Sequence, residues 1–284
     1  MPGTINGRAI GGGATLPDDP AAVLLDAGNP STLTGLDEAG VGTSYTPAAA
    51  RQLLGLATDP GLPSSGLVAL WRASSLSLAD GDPVGTWAPA SGTPGSLTGS
   101  GSARPTYRAA GSPSGGPCVE FDGSDDELSL SSPAGLPSGA AAGTMVAIVA
   151  RAVGGSGLRH IVQIGNVGSL TGRGLITSNG VWATHEWAGP MVAGSDSPRT
   201  RGAHVLGHVY DGTTMTLWVD GAPAAALTVT LATGTGEIAV GSRTAPHDER
   251  GAFRLMALAI YSRALTDADW SQVMAHARAL HGVA

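Results

Sequence analysis

Val209-Tyr210-Asp211-Gly212-Thr213-Thr214-Met215-Thr216-Leu217-Trp218-Val219-Asp220-Gly221 decides how this chain is read. A strand leads into a polar corner at Asp211-Gly212, and a second strand ends in Asp220-Gly221. Asp-Gly is a strong hairpin signal, because both residues tolerate the positive φ that a tight turn needs. About forty residues later, Ala259-Ile260-Tyr261-Ser262-Arg263-Ala264-Leu265-Thr266-Asp267-Ala268-Asp269 reads as a strand running into a capped helix.

Working outward, strands are expected at Leu67–Trp71, Thr144–Ala152, Arg159–Ile164, Gly174–Thr177, Val181–His185, Ala203–Tyr210, Met215–Val219, Ala224–Thr230, Glu237–Gly241 and Ala252–Tyr261. No helix interrupts them, which points to an all-β antiparallel sandwich. Residues Ala88 to Arg104 read as an exposed loop. The closing helix runs from Asp267 to about Leu280, with Thr266 as N-cap and Asp269 completing a capping box. Trp270, Val273, Met274, Ala277 and Leu280 form one apolar stripe that should pack across the sandwich.

The composition agrees. Of 284 residues, 44 are glycine and only 13% are charged, which suits many short strands and turns. The net charge is -7 and the 15 basic residues, all arginine, are scattered, which argues against a nucleic-acid surface. The single cysteine, Cys118, is expected to be a small buried strand residue. No stretch reaches the roughly 20 apolar residues of a membrane span, so no membrane insertion is expected. Met1-Pro2-Gly3-Thr4 opens neither a basic nor an apolar run, so no secretory leader is expected.

Residues 1–65 differ in character. Gly11-Gly12-Gly13, Pro17-Asp18-Asp19-Pro20 and Gly28-Asn29-Pro30 break the segment repeatedly, and it reads as an extended, mostly irregular arm. Its one expected helix, 47–54, has Thr46 as N-cap, Pro47 at the first position and Gly55 as stop. Such a segment cannot bury enough apolar surface alone. The expected division is therefore an arm, 1–65, and a sandwich, 66–284.

Two resemblances carry functional expectations. Phe121-Asp122-Gly123-Ser124-Asp125-Asp126, with Glu127 where an aromatic is usual, resembles an element of laminin-G-like, concanavalin A-like jelly rolls. With the hairpin, the closing helix and the opening Leu76-to-Trp87 run, that resemblance spans roughly Leu67 to Ala284. It implies binding of glycans or proteins, and structural roles for Trp71, Trp87, Trp218 and Trp270. Thr46-Pro47-Ala48-Ala49-Ala50-Arg51-Gln52-Leu53-Leu54-Gly55-Leu56 resembles a short motif of bacteriophage tail-fibre proteins. With the expected absence of a leader, the core-poor arm and the laminin-G-like body, it implies a phage virion protein made in the bacterial cytoplasm, a homotrimer attached to other virion proteins through residues 1–65, whose jelly roll binds a host surface glycan or protein. A purely structural capsid or tail decoration protein is the alternative. A carbohydrate-active enzyme or its accessory module is the third reading.

Candidate chemistry is sparse. Tyr107, Trp182 and Trp187, with His185 and Glu186 beside them, offer rings, an imidazole and an acid suited to a glycan. Packing of one of these tryptophans inside the sandwich stays open. Asp122, Asp125 and Asp126 supply oxygen ligands that suit Ca²⁺, or the capping oxygens of a turn. His204 and His208 lie four apart in one strand, about 13 Å, too far to share a zinc ion. His247-Asp248-Glu249-Arg250 is a polar loop cluster without metal-ligand spacing. No nucleophile elbow, His-Glu-x-x-His motif, phosphate loop or glycosidase-type paired-glutamate strand is present, so an enzyme is not expected.

Overall fold

A computed structural model describes residues 24–25, 33–36 and 42–45 as backbone, and residues 59–150, 156–166, 168–186, 191–194 and 202–283. The expected helix 47–54 and Trp187 lie outside the described residues, and Glu186 is described by its backbone alone. The chain divides into two compact units, Met1–Pro60 and Gly61–Ala284.

In the first unit, β1 (Leu24–Leu25), β2 (Leu33–Leu36) and β3 (Gly42–Tyr45) form a three-stranded antiparallel sheet. The sequence suggested an irregular arm here. The short Leu-Thr and Thr-Ser-Tyr runs between the glycines and prolines are good strand formers, and frequent breakers shorten strands without forbidding them.

The second unit is a two-sheet antiparallel β-sandwich with one helix, α1 (Asp267–His281). Its strands are β4 (Leu67–Arg72), β5 (Thr86–Trp87), β6 (Ser91–Gly92), β7 (Leu97–Thr98), β8 (Thr106–Arg108), β9 (Cys118–Asp122), β10 (Leu128–Ser131), β11 (Gly143–Ala150), β12 (Leu158–Gly165), β13 (Gly172–Ser178), β14 (Val181–Glu186), β15 (Met191–Ala193), β16 (Ala203–Tyr210), β17 (Thr214–Val219), β18 (Ala222–Thr228), β19 (Glu237–Val240) and β20 (Ala252–Tyr261). One sheet has eight strands in the order β15-β14-β13-β12-β19-β10-β7-β5. The other has nine, in the order β18-β17-β16-β11-β20-β4-β6, with β9 bridging β20 and β8. The stretch expected to be a loop, Ala88 to Arg104, contains β6 and β7, which are too short for periodicity to show.

The deciding hairpin forms as read. Met215, Leu217 and Val219 point into the core, while Thr214, Thr216 and Trp218 are half-buried on the other face. Asp220 and Gly221 take φ of 49° and 83° to close the turn. At the other corner, Asp211 Oδ1 accepts from the N–H groups of Thr213 and Thr214.

The two outer faces of the sandwich are built differently. Every residue of β11 is buried, because α1 covers the outer face of the nine-stranded sheet. Trp270, Val273, Met274 and Ala277 pack there against Val146, Ile148, Val205, Val209 and Ala257. Trp270 reaches the sheet because Gly207 has no Cβ, and Trp218 stacks on it at 4.9 Å and 6°. Thr266 and Asp269 form the expected capping box. Arg263 holds Asp269 in a two-pronged ion pair, at 2.7 Å on each oxygen. Between the sheets lie Trp71, Trp87, Phe121, Trp182, Tyr210 and the aliphatic side chains around them. Among the described residues no helix covers the outer face of the eight-stranded sheet.

Candidate functional site

Strand register fixes what that uncovered face carries. Paired residues on neighbouring antiparallel strands share a face. One row therefore crosses the whole sheet: Thr86, Thr98, Ser129, Ala239, Gln163, Gly174, His185 and Met191. Its members are small or polar, apart from Met191, and none is aromatic. Thr86 and Thr98 are exposed and Ser129 is half-buried, and Ser131 and Glu237 form a pair in the next row. Together they make a hydroxyl-lined shelf at the β5–β7–β10 end.

The segment Ser242–Gly251 stands over the middle of this face and bounds the shelf. Backbone bonds hold it down: Gly241 N–H donates to Ile161 O, and His160 N–H donates to Glu249 O. Side chains of the sheet grip it as well. Thr244 N–H donates to Gln163 Oε1 at 3.3 Å, and Ala245 N–H donates to Glu237 Oε2 at 3.1 Å. His247 sits between two glutamates, 3.4 Å from Glu127 and 3.5 Å from Glu237. Arg250 Nη2 donates to Glu127 at 3.2 Å, and Arg243 pairs with Asp248 at 2.7 Å.

Under this roof lies a histidine pair. The Nε2 atoms of His160 and His185 are 2.8 Å apart, so one ring donates and the other accepts. His185 can lie across its neighbour because Gly174 is there; a Cβ would come within 2.8 Å of the ring. Burial, reinforced by His185 and Arg243, holds the His160 pKa well below the ordinary imidazole value. Burial raises the Glu249 carboxyl, with Arg243 opposing. Gln163 Nε2 and Thr244 Oγ1 meet at the same seam, in residues 0% and 1% exposed, and have no hydrogen-bond partner among the described residues.

The residues expected to read a glycan are placed otherwise. Trp182 is 1% exposed and points into the core between the sheets. Tyr107 is buried in the same core, so neither ring offers a face for stacking on a sugar. The physical reason is the strand period: Trp182 and Thr184 point inward, while Val181, Ala183 and His185 point outward. His185 thus reaches the outer face, but beneath the roof. Of the four tryptophans expected to be structural, Trp71, Trp87 and Trp270 are buried and Trp218 is half-buried on Trp270.

The acidic triad is compact: Asp122, Asp125 and Asp126 each bring an oxygen within 4.8 Å of the others, close enough to hold a cation. The same oxygens also serve the turn. Asp122 Oδ1 accepts from Ser124 N–H, and Asp126 Oδ2 accepts from Asp122 N–H. Burial pushes the Asp126 carboxyl up to about 6. His204 and His208 are separated as expected: His204 pairs with Asp220 at 2.8 Å, whereas the buried His208 bonds Thr184.

Thr86, at the end of the polar row, also lines a groove of about 540 Å³ with Ser75, Leu78, Ala88 and Pro89. The groove contains no titratable side chain. The groups able to read a ligand by charge and hydrogen bond, around Glu127, Glu237 and His247, lie two to three strands away, or about 10–14 Å.

These features define a jelly-roll-type β-sandwich with one covered and one polar outer face. No family model matches the chain, and no curated protein matches it by sequence. Solved structures match by shape. Domain 4 of AbnA, a GH43 extracellular arabinanase from Geobacillus stearothermophilus, in complex with arabinotriose, matches with TM-score 0.55 and 15% identity, over 75% of this chain and 100% of that one. The binding domain of Paraclostridial Mosquitocidal Protein 1 matches with TM-score 0.54 and 13% identity, over 74% of this chain and 52% of that one. A Trypanosoma rangeli sialidase in complex with sialic acid matches with TM-score 0.53 and 14% identity, over 92% of this chain and 45% of that one. At such identities the likeness shows the fold, a β-sandwich. These likenesses do not extend to the laminin-G or phage-fibre resemblance.

Proposed function

We propose that the Gly61–Ala284 unit is a non-catalytic carbohydrate-binding module, of the kind that accompanies a carbohydrate-active enzyme. One observation carries the reading. The nine-stranded sheet hides its outer face under α1, whereas the β5–β7–β10 end of the eight-stranded sheet presents hydroxyls and carboxylates beside the His247 imidazole of the wall. A polar shelf with convergent hydrogen-bonding groups fits a polyhydroxylated ligand. The fold likeness to an arabinanase domain solved with arabinotriose supports it.

Catalysis is not part of the proposal. Glu127 and Glu237, the carboxylates nearest the shelf, are both engaged by His247, and Glu127 by Arg250 as well. The test is affinity electrophoresis of the full chain through gels containing arabinan, galactomannan or chitosan. Retardation in at least one gel, lost in Thr98→Arg with unchanged melting temperature, is expected. Equal retardation of the blocked variant, or none in any gel, would sink the site. Release of reducing sugar that disappears in Glu127→Gln would replace the reading with a hydrolase.

Placement on a phage fibre as a trimer, through residues 1–65, is a separate proposal resting on the core-poor arm and the Thr46–Leu56 motif. Sedimentation of the full chain as a monomer would remove it.

A further inference from the structure

We infer that the ligand of this face is a glycan without acidic groups, and that an amino sugar fits it best. The inference rests on the carbohydrate-binding reading above and concerns what the face selects. Around the shelf and its wall stand Glu127, Glu237, Asp248 and Glu249. The two guanidiniums in the wall are already committed. Arg243 is turned inward, its side chain 10% exposed, and pairs with Asp248 and Glu249; Arg250 pairs with Glu127.

The acidic surface continues past the wall. Asp122 pairs in register with Ala252, two residues beyond Arg250, and brings Asp125 and Asp126 with it. Gly241, at the root of the wall, lies against the backbone of Asp126. Arg159 adds one further guanidinium near Glu249. Among the described residues, carboxylates at this corner outnumber guanidiniums. A carboxylate or sulfate on an incoming sugar would therefore lose hydration and meet like charge, whereas an ammonium would meet a corner whose carboxylates exceed the guanidiniums that pair with them.

The wall also fixes the carboxylate at the edge of the shelf. Thr244 N–H donates to Gln163 Oε1 and Ala245 N–H donates to Glu237 Oε2, so Glu237 is held in place before any ligand arrives.

Isothermal titration of the full chain tests this with three probes: a chitosan hexamer, an arabinan oligomer and sialyllactose, each at 20 and 300 mM NaCl. The chitosan hexamer is expected to bind at least tenfold more tightly than sialyllactose at low salt, with the gap narrowing at high salt. Glu237→Gln is expected to weaken the hexamer at least threefold more than it weakens the arabinan oligomer. Asp267→Asn, on the far side of the sandwich, makes the same charge change and should alter neither; if it matches Glu237→Gln, net charge alone explains the preference and the inference falls. Sialyllactose binding as tightly as the hexamer overturns the inference while leaving carbohydrate binding intact. Binding of none of the three overturns both.

Discussion

Two neutral histidines buried in the sandwich should make it acid-labile, and the effect can be sized. His160 and His208 are 0% and 1% exposed, and burial holds both pKa values well below the usual imidazole range. For His208, Arg173 and His185 push in the same direction. In the unfolded chain each takes a proton near pH 6.5. Below that pH the unfolded state binds protons that the folded state refuses, so stability falls as pH falls, by about 1.4 kcal/mol per unit for each group. From pH 7.5 to 5.0, a histidine that stays neutral throughout in the folded chain removes about 2 kcal/mol, which sets an upper bound of about 4 for the pair.

Asp126 acts with the opposite sign. Its folded value near 6 lies above its unfolded value of 3.8, so protonation on acidification favours the folded state. Over the same interval it returns about 1 kcal/mol, leaving a net loss of at most about 3. Set against a total stability of roughly 5–15 kcal/mol, the loss is easily measured. Urea unfolding of the full chain at both pH values, followed by tryptophan fluorescence, is the assay. All six tryptophans lie beyond residue 66, so the signal reports the sandwich alone. His208→Gln is expected to be less stable at pH 7.5, because the Thr184 bond is disturbed, yet to lose about 2 kcal/mol less on acidification. An unchanged pH-dependent loss in that variant would refute the argument.

Three further outcomes are expected. Gly207→Ala places a methyl group inside the Trp270 ring position, and should destabilise the sandwich by about 1–3 kcal/mol in urea unfolding as α1 shifts. Asp269→Asn breaks the Arg263 pair and half the capping box, and should cost about 1–2 kcal/mol at pH 7; Arg263 holds that carboxyl far below the usual range, so the deficit should shrink as the wild type is acidified. Trp182→Ala should cost about 3–5 kcal/mol of stability, whereas Tyr107→Phe should leave glycan retardation unchanged, since neither ring reaches the polar face.

The fold was legible where local signals repeat. Asp220-Gly221 closes the hairpin, Thr266 and Asp269 cap the helix, and the long strands fall where their apolar runs lie. Short strands such as β5, β6 and β7 escaped, because two residues carry no period and form only when a neighbour is in place. The site was harder to see. His185 and the cluster His247 to Arg250 drew notice as polar groups, but what unites them is cross-strand register. Gln163, Glu237 and Thr98 meet only through pairings with partners far apart in sequence. A one-residue shift would have sent each to the other face, and no local pattern fixes that choice for a lone polar residue. Trp182 shows the same effect, since the period that turns His185 to the outer face sends Trp182 into the core.

The character of the face sets how it would have to be used. Apart from half-buried Trp218, every described aromatic ring with a resolved side chain is buried, so sugar stacking contributes little there. Hydrogen bonds remain, at about 0.5–1.5 kcal/mol each. Three or four of them supply roughly 2–6 kcal/mol, against an association cost that starts near 4. On the proposed reading, a single shelf would therefore grip one short oligosaccharide weakly. Useful retention needs several contacts at once, from a repeating polymer lying along the row from Thr86 to Ser129 or from several copies of the chain. Linking weak sites raises apparent affinity by about 10²–10⁴ without any new contact. The sandwich thus fits a substrate that repeats, and its strength lies in number more than in any one pocket.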